Sequence, residues 1–339
     1  IAQCLVGSEM CIRDRLSIIM LVPRKIVFFL FLLVGLSLYA QQDYFVSSYV
    51  RGNFYNRGRI AAESLRASDD LIFLNVRPHK DCSLSFENPR VFQEKGVTTW
   101  EELIKSVRAD VKGTKAKLRL GAAGGEWKAM VADEAARTTF AKNIKKVLGE
   151  NKLDGIDLDF EWAETEKEYK DYSLAILKMR EVLGDKYLFS VSLHPVSYKI
   201  SKEAIAAVDF ISLQCYGPSP VRFPMEKYAS DIQMVLAYGI PKEKLMAGVP
   251  FYGVTKNGSK KTEAYFSFVQ DGLITTPAQN EVTYKGEVYV FDGQDHIRTK
   301  TRYAMEQQLK GMMSWDLATD MPLKDSRSLF RTMLEELGR

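Results

Sequence analysis

Short apolar runs alternate with amphipathic segments along most of the chain. Eight runs are rich in β-branched, aromatic and other apolar residues and are typical of strands: residues 43–50, 70–76, 117–121, 155–162, 188–194, 209–216, 245–251 and 311–317. Strands that alternate with helices predict parallel strands joined by crossover connections.

The segments between the strands carry the helical signal. Two sets of apolar residues recur at a spacing close to 3.6: Phe140, Ile144 and Val147, and then Tyr172, Ile176, Met179 and Leu183. Gly149 and Gly184 follow these sets, and each predicts the end of a helix.

Eight strand–helix units in about 300 residues predict an α/β protein folded as one (β/α)8 TIM barrel. A doubly wound open sheet is the alternative, and it would usually show a glycine-rich phosphate-binding turn. The segment 121–125 is glycine-rich but lacks the GxGxxG spacing, so we expect no dinucleotide cofactor.

The longest irregular stretch lies between the seventh and eighth strands. It runs from Val254 to Lys310 and contains strand-like segments at 281–284 and 287–291, followed by a predicted helix near 302–309. Barrel enzymes place their variable loops on the catalytic face. We therefore expect a small insertion there.

The first 40 residues do not fit the barrel pattern. Residues 1–19 begin with Ile1 and not with a start methionine, and we interpret them as a non-native or read-through leader before Met20. Two basic residues, an apolar run over 26–38 and the small residue Ala40 predict a signal peptide over 20–40. A membrane anchor is the alternative, but the run is shorter than the roughly 20 residues that span a bilayer.

This interpretation predicts a mature catalytic barrel over residues 41–339. We expect the mature protein to be secreted or periplasmic, monomeric, and without stable membrane association after signal cleavage.

Composition and charge exclude several classes of function. The 339 residues are 46% hydrophobic and 27% charged, a composition typical of globular proteins. The net charge of +4 gives no indication of the basic surface that nucleic-acid binding requires. With three histidines in the chain, a histidine-rich metal site is not expected. Cys82 and Cys215 remain after signal cleavage; we expect both to be buried and unpaired, although the sequence leaves a disulfide open.

The candidate chemistry lies in the fourth predicted strand. Asp157, Asp159 and Glu161 occupy alternate positions and therefore share one face, while the residues between them are apolar. In a barrel these acids point inward, with Glu161 at the carboxyl-terminal mouth and Asp157 deepest. Three carboxyl groups this close cannot all be ionised without strong repulsion between their charges, so the pKa of at least one must rise, as a general acid requires. An exposed acidic face and a divalent-metal site are the alternatives.

The segment 154–161, Asp-Gly-Ile-Asp-Leu-Asp-Phe-Glu, resembles the DGxDxDxE signature of glycoside hydrolase family 18, which contains chitinases and endo-β-N-acetylglucosaminidases. The resemblance extends to four other segments, which lie on the third, sixth, seventh and eighth strands: residues 122–125, 214–216, 248–253 and 313–316.

The resemblance implies a retaining, substrate-assisted mechanism. Glu161 would protonate the glycosidic oxygen, and the 2-acetamido group of the sugar would attack C1 in place of an enzyme nucleophile. Asp159 would orient that acetamide, Tyr216 would hydrogen-bond it and Asp157 would support Asp159. Trp315 would form the apolar floor under the sugar.

Further substrate-binding candidates are Gln214, Tyr49, Trp127, Trp162, Gly124 and Gly125. The aromatic residues among them could equally pack under a helix. Two departures from the family pattern stand out: Ala122 replaces a serine expected near the deep Asp, and Gly217 follows Tyr216 where many chitinases have Asp. His194 is expected to be a satisfied residue at a strand end.

The leading hypothesis is a secreted hydrolase of chitin or other N-acetylglucosamine-containing oligosaccharides that needs no cofactor. An endo-β-N-acetylglucosaminidase acting on N-glycan cores and a non-catalytic glycan-binding barrel are the alternatives. Retention of Glu161 argues against the latter. The small insertion predicts a shallow, open groove without the α+β wall of many family chitinases.

Overall fold

The computed structural model describes residues 44–87, 95–217, 223–258 and 261–339. The predicted leader and signal peptide, residues 1–40, lie outside these described residues. Within the described residues, no helix is both long and apolar enough to cross a membrane.

Eight parallel strands form a closed barrel. They are β1 (Phe45–Arg51), β2 (Asp70–Pro78), β3 (Lys117–Ala123), β4 (Gly155–Asp159), β5 (Leu188–Leu193), β6 (Phe210–Leu213), β7 (Leu245–Pro250) and β8 (Gly311–Trp315). Each strand pairs in parallel with the next, and β8 pairs with β1 to close the ring. A short strand, Leu84–Phe86, adds antiparallel to β2. The predicted (β/α)8 barrel is confirmed.

Helices cover the outside of the barrel. The α-helices of the described residues are Gly52–Asn56, Ala62–Arg66, Trp100–Asp110, Trp127–Val131, Glu134–Glu150, Glu166–Leu183, Lys202–Ala207, Met225–Tyr238, Tyr265–Gln270, Gln294–Glu306 and Leu329–Glu336. Single turns of 3₁₀ helix occur at Gly184–Lys186, Lys242–Lys244 and Leu317–Thr319.

Local sequence explains where the long helices begin and end. Thr165 and Glu168 form a capping box at the start of Glu166–Leu183, and Gly184 ends it with a φ of 66°. The helix Glu134–Glu150 ends one residue after the predicted stop at Gly149, and the chain turns at Lys152, with a φ of 51°. A glycine without positive φ is tolerated near the end of a helix, so its presence alone does not terminate one.

Alternation along the strands separates the apolar layer from the barrel interior. On β3 and β4 the residues Leu118, Leu120, Ala122, Ile156 and Leu158 pack in the main hydrophobic core with the helices. The positions between them face the interior, which places the acids of β4 inside the barrel as predicted.

Strand β4 is shorter than predicted, because it ends at Asp159 instead of continuing to residue 162. Its pairing with β3 ends at the register pair Ala123–Asp159, and beyond that point the chain has no strand neighbour to bond. Glu161 therefore lies on the loop that leaves the strand, at the mouth of the barrel.

The insertion between β7 and β8 is more elaborate than the two strands that the sequence indicated. It forms a four-stranded antiparallel sheet in the order Thr262–Ala264, Tyr252–Thr255, Glu287–Val290, Glu281–Tyr284, with the helix Tyr265–Gln270. Phe268 packs against the rings of Tyr284, Tyr289 and Phe291. The sequence predicted a small insertion without the full α+β wall of many family chitinases, and the structure adds to that prediction a four-stranded sheet with one short helix.

The crossover helix to β8 begins at Gln294, eight residues earlier than the predicted position at 302, because the chain already turns into it after the insertion sheet at Gly293. Cys82 and Cys215 are both buried and unpaired, as predicted. Burial raises the pKa of the Cys215 thiol to about 12, which keeps it protonated and unreactive at neutral pH.

Candidate active site

The three acids of the β4 segment lie at successive heights in the barrel. Asp157 is 0% exposed and Asp159 is 8% exposed, whereas Glu161 is exposed at the mouth. This gradient follows from alternate positions on a strand that points toward the open end of the barrel. It places Glu161 where a substrate arrives and leaves Asp157 entirely inside the protein.

Asp157 is held by hydroxyl groups from two other strands. Ser190 donates to Oδ1 at 2.5 Å, and Oδ2 accepts from Tyr49 at 3.0 Å and from Ser192 at 3.2 Å. Burial raises the pKa of the Asp157 carboxyl, while the nearby guanidinium of Arg119 and these hydroxyl donors act in the opposite direction. The carboxyl is thus fully satisfied as an acceptor on both oxygens.

Asp159 has a different environment. The amide Nε2 of Gln214 donates to its Oδ1 at 2.8 Å. Burial raises the pKa of Asp159 well above its ordinary value, and the charges of Glu161 and Asp157 raise it further. Asp159 is therefore the acid of this group that is best suited to hold a proton.

Glu161 faces solvent, yet the walls of the cleft withdraw its carboxyl from bulk water. This partial desolvation raises the pKa of Glu161, and hydrogen bonding to Gln214 partly offsets the rise. A raised pKa keeps a carboxylic acid protonated closer to neutral pH, as a proton donor requires.

Two pockets meet at these acids. The larger, about 470 Å³, is walled by the segment that follows β1 and by the end of β3, and its lining includes Arg51, Phe54 and Gly124. The smaller, about 270 Å³, lies against the ends of β5, β6 and β7. Asp159, Glu161 and Trp315 line both pockets, so the acids lie at the junction of a two-sided cleft.

The smaller pocket gathers several predicted residues. Gln214, Tyr216, Trp162 and Gly217 line it, together with His194. The five residues come from three separate chain segments that the barrel brings to one end.

Tyr216 is 5% exposed, and its ring lies edge-on to that of Tyr252 at a centroid distance of 6.4 Å. Burial raises the pKa of the Tyr216 hydroxyl well above its ordinary value. This hydroxyl is therefore a neutral hydrogen-bond donor at the pocket wall.

The ring of Trp162 packs against His194 with centroids 5.0 Å apart. Its indole N–H has no hydrogen-bond partner among the described residues. Trp162 also lines the smaller pocket, so it remains a candidate for contact with sugar.

Two aromatic candidates lie below the cleft instead of lining it. Tyr49 is 1% exposed; its hydroxyl bonds Asp157 and its ring packs edge-on against Trp315 at 5.2 Å. Trp127 is 3% exposed, stacks on Phe160 at 5.0 Å and donates from its indole to the Glu161 carbonyl at 3.3 Å. The sequence left open whether these candidate substrate-binding rings contact sugar or pack in the core, and their burial places both under the acids.

Gly124 and Gly125 directly follow β3, and the first of them lies at the edge of the larger pocket. Gly124 lines it, with a φ of 66°. Gly125 has a φ of 73°, and a Cβ there would lie 2.4 Å from the carbonyl of Pro78. Only glycine fits that close approach, so Gly125 fixes the path of the loop that carries Gly124.

Ala122 does not face the deep acid. It pairs with Leu158 and lies in the apolar layer under the helices, whereas Gly121 pairs with Asp157. The expected loss of a hydroxyl at Ala122 is thus corrected: strand register puts position 121 beside Asp157.

Sequence reasoning missed several residues of the cleft. Arg51 lines the larger pocket, forms an ion pair with the buried Asp316 and lies over the Phe54 ring at 4.0 Å. Tyr252 belongs to a segment that the family resemblance had marked, and it lines the smaller pocket. An arginine directly after a strand, at the mouth end of a predicted barrel, was the available signal for Arg51.

Among the described residues, no group of three or more His, Cys, Asp or Glu side chains is spaced to hold a metal ion.

Curated relatives of this chain are named as chitinases. A curated relative, a probable chitinase 2 from Drosophila melanogaster, is 22% identical over 56% of this chain and 52% of its own length. The chain thus spans about half the length of this relative and 65% of a class V chitinase from Arabidopsis thaliana.

Solved structures share the fold. The GH18 chitinase ChiB from the chitin utilization locus of Flavobacterium johnsoniae matches with a TM-score of 0.72 and 23% identity, over 87% of this chain and 94% of that one. A class V chitinase from Nicotiana tobaccum in complex with NAG4 matches with a TM-score of 0.70 and 16% identity, over 88% and 99%.

The model of the family described as glycosyl hydrolases family 18 matches residues 46–320. This match runs from β1 past β8 and includes all the residues that line either of the two pockets. The chain belongs to glycosyl hydrolase family 18.

Proposed function

We propose that this protein is a chitinase-like hydrolase that cleaves β-1,4 linkages between N-acetylglucosamine units with retention of configuration. The observation that carries the proposal is the position of Glu161 and Asp159, which line both pockets of the cleft. A sugar chain lying across the two pockets presents a linkage to the exposed acid at their junction.

Glu161 is the proton donor in this proposal. Its carboxyl is open to the cleft, and its raised pKa favours the protonated form that donates to a leaving oxygen. The backbone carbonyl of Glu161 accepts from the buried indole of Trp127, which anchors this loop residue to the core. The acid is therefore both accessible and fixed.

The 2-acetamido group of the substrate is the nucleophile in this proposal. Asp159 is 8% exposed and held by Gln214, so it suits a group that orients and stabilises the acetamide. Family 18 enzymes are known exceptions to the two-carboxylate scheme, since their substrates supply the attacking oxygen. Tyr216 and Trp315, which line the smaller pocket, complete the surroundings of that sugar.

The structural comparisons support the class of substrate. The tobacco class V chitinase was solved with NAG4, and a catalytic domain of an Ostrinia furnacalis chitinase was solved with an N-acetylchitooligosaccharide. Both share this fold. We therefore choose N-acetylated chito-oligosaccharides as the first substrates to test.

The decisive experiment compares two variants on tetra-N-acetylchitotetraose. Glu161→Gln should lower the rate by about 10²–10⁴ because an amide cannot donate the proton. Glu164→Gln is the matched control, since Glu164 is exposed three residues away and lines neither pocket. Products are measured by mass spectrometry, and folding by circular dichroism. Wild-type activity in Glu161→Gln contradicts the proposal.

A second set of substrates tests the acetamide step and the alternative function. The fully deacetylated tetramer should not be cleaved, whereas cleavage of it would exclude acetamide participation. A high-mannose glycoprotein is incubated in parallel. Release of its glycan together with inertness toward chito-oligosaccharides would assign the protein to N-glycan cores instead.

The two-sided cleft also favours internal cleavage over removal of end units. Pockets of about 470 and 270 Å³ on either side of Glu161 can hold sugars in both directions along a chain. Early release of mixed oligomers from a soluble chitin polymer is expected. Disaccharide as the sole early product would contradict internal cleavage.

We propose further that the protein acts outside the cytoplasm, on the basis of the signal-like sequence over residues 20–40. Expression from Met20 and N-terminal sequencing of the mature protein test this. A chain that begins near Gln41 is expected. An uncleaved chain in the cytoplasmic fraction would contradict it.

A further inference from the structure

The barrel interior contains a buried cation below the catalytic acids. Arg119, on β3, is 0% exposed and forms two parallel hydrogen bonds with the Asp70 carboxylate, from Nε at 2.7 Å and from Nη2 at 2.6 Å. Its guanidinium also lies 4.8 Å from the ring centroid of Phe210. A buried arginine is tolerated when paired in this way, and its charge acts strongly at short range in the interior.

The remaining nitrogen of Arg119 points toward the acids. Nη1 donates to Ser190 Oγ at 2.7 Å and to the Ile156 carbonyl at 2.9 Å. Since guanidinium can only donate, the Ser190 oxygen is the acceptor of that bond. The hydroxyl hydrogen of Ser190 is then free to donate to Asp157 Oδ1, which lies 2.5 Å away. Arg119 thus sets the direction of the bond that Asp157 receives.

The second oxygen of Asp157 is occupied as well. Tyr49 and Ser192 lie within hydrogen-bond distance of it and are 2.6 Å from each other. One of these two hydroxyls can donate to the other while that one donates to Asp157. Both oxygens of Asp157 therefore accept hydrogen bonds, which suits the carboxylate form.

We propose that Arg119 is a positioning residue for the reaction, which acts through Ser190 to hold Asp157 as a carboxylate and so keeps the proton shared by the acids on Asp159 and Glu161. This inference rests on the proposed function. It gives the deepest acid a fixed negative charge and places the mobile proton at the end of the strand that faces the substrate.

The charged and titratable groups around Asp157 come from several elements. They are Arg119 on β3, Asp70 on β2, Tyr49 on β1, Asp159 and Glu161 on its own segment, and Tyr172 on the helix outside β4. Arg119 is the one cation in this set. It favours ionisation of Asp157, whereas Asp70 and burial oppose it. At Asp159 burial and two neighbouring acids raise the pKa, and only the Gln214 amide opposes them.

The first experiment replaces Arg119 with Met and measures kcat/KM against pH. Loss of the cation should move the acidic limb of the profile upward by about one pH unit or more, because an opposite charge at short range lowers the pKa of an acid. The alkaline limb, which reports Glu161, should stay in place. Arg119→Lys keeps the charge and should restore most of the acidic limb.

A matched pair of serines tests the connection itself. Ser190 and Ser47 are both 0% exposed inside the barrel, and both bond the Asp70–Arg119 pair, Ser47 through Asp70 Oδ2 at 2.6 Å. Only Ser190 also touches Asp157. Ser190→Ala should shift the acidic limb upward, and Ser47→Ala should leave it unchanged. This comparison tests whether Ser190 connects Arg119 to Asp157 even where Arg119→Met fails to fold.

A measurement without substrate separates this inference from the proposed function. Carboxyl ¹³C NMR of aspartate-labelled protein, with Asp157 assigned by Asp157→Asn, follows the titration of the resting enzyme. An Asp157 signal that titrates at higher pH in Ser190→Ala, but not in Ser47→Ala, supports the inference even if chito-oligosaccharides are not cleaved. Equal behaviour of the two serine variants, in the profile and in the NMR titration, overturns it.

Discussion

Replacement of Gln214 with Met removes the hydrogen bond that this neutral side chain donates to Asp159, together with its hydrogen bonding to Glu161. Gln214 is 7% exposed and its amide donates to Asp159 Oδ1 at 2.8 Å. Met has a similar length but cannot donate. A hydrogen bond to a charged group is worth about 1.5–3 kcal/mol. At about 1.4 kcal/mol for each tenfold change, its loss predicts a roughly 10- to 150-fold decrease in kcat/KM.

The pH dependence provides a second readout of the same change. The Gln214 amide lowers the pKa of Asp159, so its removal should raise that pKa further above the ordinary value. A raised pKa means that the protonated form persists to higher pH. Gln214 also lowers the pKa of Glu161, so without its amide both acids hold their proton to higher pH, and the alkaline limb of the kcat/KM profile should move upward in Gln214→Met.

Gln294 offers a matched control. It is also 7% exposed, and its amide donates to the Ser326 carbonyl at 2.8 Å and to Thr332 Oγ1 at 2.9 Å, away from the acids. Gln294→Met loses two hydrogen bonds, so its free energy of unfolding should fall at least as far as that of Gln214→Met. Its kcat/KM should stay near the wild-type value.

The assay is hydrolysis of tetra-N-acetylchitotetraose, with urea unfolding measured for each variant. Two results would refute the reasoning. One is a kcat/KM within twofold of wild type in folded Gln214→Met. The other is an equal loss of kcat/KM in both glutamine variants, which would show that activity merely follows stability.

Two further pairs of variants test packing and charge. Gly248→Ala would place a Cβ 3.1 Å from the Tyr216 ring and 2.6 Å from a carbonyl of β6, so kcat/KM should fall sharply. In Gly149→Ala the added Cβ meets no atom closer than 3.9 Å, so this variant should raise the free energy of unfolding by about 0.4–1 kcal/mol. Burial raises the pKa of Asp320 to about 6, so ionisation of this carboxyl lowers the free energy of unfolding as pH rises from about 4 to 6. Measured by urea unfolding, the free energy of unfolding of Asp320→Asn relative to wild type should therefore rise by about 3 kcal/mol over that range. The hydrogen bond from a neighbouring guanidinium lowers the pKa of Asp325, so the stability of Asp325→Asn relative to wild type should fall with rising pH. If the relative stabilities of Asp320→Asn and Asp325→Asn changed with pH in the same direction, the opposite pKa shifts given to these two carboxyls would be contradicted.

The amino-acid sequence by itself determined the architecture and the catalytic segment. Eight apolar runs separated by helical patterns correspond to the eight barrel strands. Alternate acids between apolar residues placed Asp157, Asp159 and Glu161 on the inner face. Both signals are local, because a strand has a period of two and a helix a period of 3.6, and each can be read within one short window.

The length of β4 and the ends of some elements needed the tertiary structure. The strand stops at Asp159 because its neighbours stop pairing there, and the crossover helix begins at Gln294 because the insertion sheet ends just before it. Neither limit is a property of the segment itself. Hydrogen bonding between distant segments decides where an element stops.

The surroundings of the acids were also decided only by the tertiary structure. Tyr49 is 108 positions from Asp157 in the chain, yet it bonds that carboxyl, and Trp127 lies under the cleft although either position was open to it. Which residue on β3 faces Asp157 depends on register, and a shift of one position exchanges Ala122 for Gly121. Register and closure of the barrel arise from the packing of all eight strands at once, and no local pattern contains them.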